Sequence, residues 1–99
     1  MAILVTGGSK GIGLQIALSF SEPGNHVFLN YASDDNAAAA AKQAVEALGA
    51  HCDLLKSDAG TPEGCRQILQ SVAAEVDQLD QLVHCAVRAV PLPALECDL

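Results

Sequence analysis

Residues 6–13 read Thr6-Gly7-Gly8-Ser9-Lys10-Gly11-Ile12-Gly13, and they stand between a short apolar run and an amphipathic one. The run before them, Ala2 to Thr6, is apolar without alternation, the pattern of a parallel strand covered on both faces. After them Ile12, Ile16 and Phe20 recur every four residues with Ala17 beside them, which predicts a helix with that face apolar, ending at Pro23-Gly24. Glycines at 7, 11 and 13 let the chain turn sharply, let its backbone approach a pyrophosphate, and let the helix begin close to the sheet. The helix start then turns free N–H groups and the positive end of its dipole toward a phosphate. A strand, this turn and a helix in that order therefore point to a nucleotide-binding unit.

Working outward, His26 to Tyr31 reads as a second strand. Ser33 and Asp34 can cap a second helix, Ala37 to Leu48, whose small residues favour close packing along Ala41, Val45 and Leu48 and which stops at Gly49. His51 to Lys56 is a third strand, leading to Ser57-Asp58. Thr61-Pro62-Glu63 supplies an N-cap, a proline at the first helical position and an acid near the positive helix end. Cys65, Ile68, Leu69, Val72, Ala73 and Val76 follow at helical spacing. Gln81 to Ala86 makes a fourth strand, and Pro91 and Pro93 leave 87–99 as an irregular tail. The order β-α-β-α-β-α-β with short connections predicts an α/β fold of Rossmann type, a parallel sheet between two helical layers, as a single domain over 1–99.

Composition fits that reading. Hydrophobic residues make up 51% of the chain and aromatics only 3%, so the core is built from Ala, Val, Leu and Ile. Five basic against 12 acidic residues give a net charge of −7, which repels a phosphodiester backbone and argues against nucleic acid as a partner. Lys10 is the only basic residue before Lys42, so its place in the glycine loop is informative. Cys52, Cys65, Cys85 and Cys97 lack paired Cys-x-x-Cys spacing, and the expectation is free thiols without disulfide or zinc. With no leader pattern and no apolar stretch near the ~18 residues of a membrane span, the chain reads as cytoplasmic and not membrane-bound.

The spacing Thr-Gly-x-x-x-Gly-x-Gly resembles the short-chain dehydrogenase/reductase family, and the likeness runs from Ala2 to about Leu95. Asn30-Tyr31-Ala32, Asp58 and Leu79-Asp80-Gln81-Leu82-Val83 also look like that family, especially its 3-oxoacyl-carrier-protein reductase-like members. The resemblance implies an oxidoreductase that passes hydride between a nicotinamide dinucleotide and a carbonyl or enoyl group. It places Gly7, Ser9, Lys10, Gly11, Ile12 and Gly13 in the phosphate loop, Asp58 and Ala59 at the adenine, and Ala86 near the ribose.

NADP(H) is favoured over NAD(H), since selection of NAD needs a carboxylate at the end of the second strand and Tyr31 stands there instead. Lys10 can put a positive charge beside a 2′-phosphate, and Asn30 and Ser33 can donate hydrogen bonds to it. Asp34 and Asp35 would oppose the phosphate if turned toward it, and they read as helix-start acids.

The family's Asn-Asn-Ala-Gly is His84-Cys85-Ala86-Val87 here, which removes two side-chain amides and a permissive glycine. Neighbours on a strand point to opposite faces, so His84 and Cys85 read as structural residues, not as a base and its nucleophile. Family chemistry uses a Ser with a Tyr-x-x-x-Lys pair, and the single tyrosine, Tyr31, has Asp35 four residues on. The expectation is a cofactor-binding portion of the family fold, incomplete and without catalytic or metal-binding residues; a non-catalytic nucleotide-binding or interaction module is the alternative. An apolar edge at Leu82 and Val83 predicts self-association.

Overall fold

The computed structural model describes residues 1–84 of the chain. It contains β1 (Ala2–Thr6), α1 (Gly11–Ser19), β2 (His26–Tyr31), α2 (Asp35–Ala47), β3 (His51–Lys56), α3 (Pro62–Glu75) and β4 (Gln81–His84). The strands lie in the order β3-β2-β1-β4, and every pairing is parallel. The chain steps outward from β1 to β3, then returns through α3 to lay β4 on the other side of β1. Strand order thus reverses at β1, and the carboxyl end of β1, beside that of β4, is the switch point at which such sheets bind ligands.

Alternation along the strands makes the layers. Ile3, Val5, Val27 and Leu29 face one side, where Ala17 of α1 and Ala41 and Val45 of α2 cover them. Ala2, Leu4 and Phe28 face the other, under Ile68 and Val72 of α3. The result is the expected Rossmann-like arrangement of helices on both faces of a parallel sheet. Asp80 secures the entry to β4, with its carboxylate accepting from the Ala2 amide at 2.7 Å. At the other end of β4, Nδ1 of His84 lies 2.8 Å from Thr6 Oγ1.

Helix rotations differ from the periodicity reading. In α1 the buried residues are Gly13 and Ala17, with Leu14, Leu18 and Phe20 packed against the core, while Ile12 is 76% exposed. The helix is apolar on nearly every side, so periodicity cannot choose a face, and the close seating of Gly13 on the loop chooses it instead. In α3 the buried row is Gly64, Ile68 and Val72, and Cys65, Leu69 and Ala73 are exposed. Gly64 is again the reason, because a Cβ there would overlap the Asp58 carbonyl. Leu48 leaves the expected stripe of α2 because it is the C-cap and half exposed, with Ala38 taking the inner place beside Ala41 and Val45. The expected continuation of β4 to Ala86 and the tail 87–99 lie outside the described residues.

Cys52 is fully buried under α2, and burial, with Glu46 nearby, pushes its thiol up to about 12. A thiol so high is not a nucleophile near neutrality. At pH 8 Cys52 should resist iodoacetamide until the fold is lost, whereas exposed Cys65 is labelled in the native state. Peptide mass spectrometry checks this, and fast native labelling of Cys52 would contradict the packing.

Candidate dinucleotide-binding site

The loop after β1 is built from backbone. Gly7 adopts φ 66° and Gly11 φ 57°, the left-handed region that glycine enters without strain. A Cβ on Gly13 would stand 2.2 Å from the Gly7 carbonyl oxygen, so the first turn of α1 sits directly on the loop. At Gly11 nothing lies within 4 Å of where a Cβ would be, which leaves that side of the loop open to an approaching group.

The amino end of α1 is uncapped. Lys10 is its N-cap, in extended conformation, with no side chain accepting from the helix start and no acid in the first turn. The other two helices are capped, α2 by Asp34 accepting from Ala37 at 3.0 Å and α3 by Thr61 accepting from Gly64 at 3.0 Å. The first amides of a helix have no intrahelical acceptor. In α1 those of Gly11, Ile12 and Gly13 are therefore donors at a positive helix end, suited to an anion.

Asn30 holds this loop in place. Its Oδ1 accepts from the Gly7 amide at 3.3 Å, its backbone carbonyl accepts from the Gly8 amide at 3.0 Å, and its Nδ2 donates to the carbonyls of Leu55 at 3.0 Å and Ser57 at 2.9 Å. Both amide hydrogens are committed, so Asn30 is a brace joining β1, β2 and β3 rather than the expected donor to a 2′-phosphate. The side chain is almost fully buried, and Asn30→Leu would leave two carbonyls and an amide without their partner. The expected cost is about 3 kcal/mol in chemical denaturation, with a loosened loop; a loss below about 0.5 kcal/mol would contradict the role.

Charges gather where β2 ends. Lys10 Nζ pairs with Asp34 Oδ2 at 2.7 Å, and the Lys10 hydrogen bond, helped by the Ala37 amide, holds the Asp34 carboxyl below its ordinary 3.8. Tyr31 donates its hydroxyl to Asp35 at 2.8 Å, and Lys56 donates to the same carboxylate at 3.3 Å. Those two bonds, Tyr31 first, hold Asp35 low, and the same carboxylate raises Tyr31 above 10.0. Both acids are thus engaged, one with the loop lysine and one beneath the tyrosine. Asp34 as the partner of Lys10 was not legible as such; its capping position was the available signal.

The remaining expected residues fall as follows. Ser9 lies half-buried in the loop, and Ile12 stands exposed at the start of α1. Ser33 is exposed in the bend before α2, and Asp34 alone caps that helix. Asp58 closes a turn, with Oδ1 accepting from Gly60 at 2.8 Å and its carbonyl accepting from Thr61 at 3.2 Å. The Ala59 methyl is buried with Phe28 and Ile68, so only its backbone can face an adenine. Ala86 is outside the described residues.

Comparison with known proteins agrees with this geometry. The whole sequence, residues 1–99, matches the short chain dehydrogenase family. General stress protein 39 of Bacillus subtilis is 29% identical over 93 residues, covering 94% of this chain and 32% of that protein. A 3-oxoacyl-acyl-carrier-protein reductase of Staphylococcus aureus is 32% identical over 81 residues, covering 82% of this chain and 33% of the reductase. L-sorbose reductase from Gluconobacter frateurii, solved in complex with NADPH and L-sorbose, superposes with a TM-score of 0.81 at 29% identity, over 96% of this chain and 36% of that one. The chain spans about a third of the length of the curated relatives it matches.

Proposed function

The chain belongs to the short chain dehydrogenase family, and we propose that it is the cofactor-binding portion of an oxidoreductase that uses NADP(H) in preference to NAD(H) to reduce a carbonyl or enoyl group. The observation that carries the reading is the uncapped amino end of α1 seated on the glycine loop, with no room for a side chain at Gly13. The amides of Gly11 to Gly13 and the hydroxyl of Ser9 would hold the pyrophosphate. Asp58 and the Ala59 backbone would border the adenine, and Ala86 the ribose. When bound, the nicotinamide supplies the hydride.

The preference for NADP(H) rests on Tyr31 standing where a ribose-binding carboxylate would be, and on Lys10 beside it. Lys10 is an exposed cation held at the end of β2 by Asp34, and it would exchange that carboxylate for the 2′-phosphate on binding. Ser33 adds an exposed hydroxyl on the same bend.

The L-sorbose reductase bound to NADPH supports a dinucleotide at this position. Calorimetric titration of the chain with NADPH and with NADH tests the proposal. Saturable binding with NADPH at least tenfold tighter is expected; equal affinities would refute the preference, and no binding at millimolar cofactor would refute a functional loop.

A second reading, a non-catalytic nucleotide-binding or interaction module, is favoured by Tyr31. A proton-transferring tyrosine needs its hydroxyl lowered toward neutrality, and Asp35 raises this one. Tyr31 is accordingly assigned to shaping the cofactor edge, and no catalytic residue is assigned. The cytoplasm is the proposed location; among the described residues no helix is long and apolar enough to cross a membrane.

The β4 edge supports self-association as a further part of this reading. Leu82 is 46% exposed, and Val83 beside it is partly covered. Such an edge pairs readily with another chain. Size-exclusion chromatography should give an elution volume that falls with rising concentration; a concentration-independent monomer would exclude it.

A further inference from the structure

At the opposite end of the sheet from the glycine loop, three potential metal ligands meet. His26 opens β2, His51 opens β3, and the two are register partners; Asp53 follows two residues later, opposite Phe28. Parallel pairing puts all three side chains on one face. His26 Nε2 lies 2.7 Å and His51 Nε2 3.6 Å from the same oxygen, Asp53 Oδ2, and one ligand atom from each residue falls within 4.8 Å of the others. The rings are held in place: His26 stacks on Phe28 with centroids 4.1 Å apart, and His51 meets His26 edge-on at 4.4 Å.

We propose that His26, His51 and Asp53 form a binding site for a divalent first-row transition ion of the zinc class, which staples β2 to β3. Ligand atoms around tetrahedral zinc, with bonds of about 2.0–2.1 Å, stand about 3.3 Å apart. The His51 contact is already near that spacing. The His26 contact opens by roughly 0.6 Å when the ion replaces the hydrogen between Nε2 and Oδ2. Each imidazole then presents Nε2 as a lone-pair donor with its remaining proton on Nδ1. Two imidazoles with one carboxylate suit zinc, cobalt, nickel or copper rather than magnesium or calcium, which take oxygen ligands. His51 and Asp53 are open enough for water to complete the shell, being 64% and 34% exposed. Lying at the strand starts, the ion would act on stability and take no part in hydride transfer.

No spacing within the sequence marks this group. Only the register of β2 against β3 unites residues 25 and 27 positions apart.

Titration of the untagged chain with Co²⁺, followed by visible absorption, tests the site, together with thermal unfolding in Zn²⁺. One equivalent should bind with the intense visible bands of a four-coordinate ion. Zinc at a hundredfold excess over its dissociation constant should raise the midpoint by roughly 15 °C. His51→Asn and Asp53→Asn, each checked for folding by circular dichroism, should weaken binding at least tenfold. Unchanged affinity in both variants, a sulfur-to-cobalt charge-transfer band, or no binding at all would overturn the assignment. None of these readouts depends on the dinucleotide, so failure here leaves the cofactor proposal standing.

Discussion

Gly13→Ala should lose about 3 kcal/mol of stability and with it measurable cofactor binding. The new methyl would meet the Gly7 carbonyl at 2.2 Å and the Gly8 Cα at 3.2 Å, all of it backbone that cannot swing aside. The first turn of α1 would have to back away by roughly 1 Å from a close-packed loop, dragging the Ala17 contact with the sheet. In thermal unfolding the loss corresponds to a midpoint lower by roughly 15 °C. Gly11→Ala is the control. That site has open space around it and a φ of 57°, so only the left-handed conformation is penalised, at about 1 kcal/mol. Equal, small effects from both substitutions would mean that the helix does not rest on the loop as described.

Lys10→Ala should weaken NADPH about 10- to 100-fold while changing NADH less than about threefold, the range for loss of one charge-assisted contact. Its stability should hardly change, because the Lys10–Asp34 pair is exposed and such pairs contribute little. Asp34→Asn should act in the opposite direction on NADPH. Asparagine keeps an oxygen for the Ala37 amide but removes the anion that holds Lys10 and that would repel a 2′-phosphate bound there, so NADPH binding should tighten several-fold. The sign of the pH effect follows from Asp34. Its carboxyl lies below 3.8 in the folded chain, so the clasp is complete at neutral pH and is lost only as pH falls through that lowered value. From pH 6 to 8 Asp34 therefore contributes no pH dependence to the ratio of affinities. Equal losses of NADPH and NADH in Lys10→Ala would remove the lysine from the 2′-phosphate.

The fold was legible because its signals are local and redundant. Each of β1 to β3 occupies the span read from its own run of residues, and α3 begins where Thr61-Pro62 announced it. Helix rotation was not legible, since α1 carries apolar residues on every side but that of Gln15 and Ser19, and its inner face is chosen by a backbone contact through Gly13. The glycine turn after β1 could be read because glycine spacing reflects backbone geometry directly. Its supports could not. Asn30 looks like an exposed donor in a motif and is a buried brace, because its partners, Gly7, Leu55 and Ser57, come from both neighbouring strands. The burial of the Ala59 methyl was not legible for a similar reason: it is drawn under α3 with Phe28, which leaves its backbone as the part proposed to border the adenine. The His26, His51 and Asp53 group depends wholly on strand register, which no single segment encodes.

The most direct test of the central claim is a map of backbone amide shifts in ¹⁵N-labelled chain titrated with NADPH. The largest changes should fall on Gly7 to Gly13, strongest at Gly11, Ile12 and Gly13, with smaller ones at Tyr31 to Asp34. Changes that spare this loop, or that centre on the far end of the sheet at His26 and His51, would contradict a pyrophosphate held on the amino end of α1.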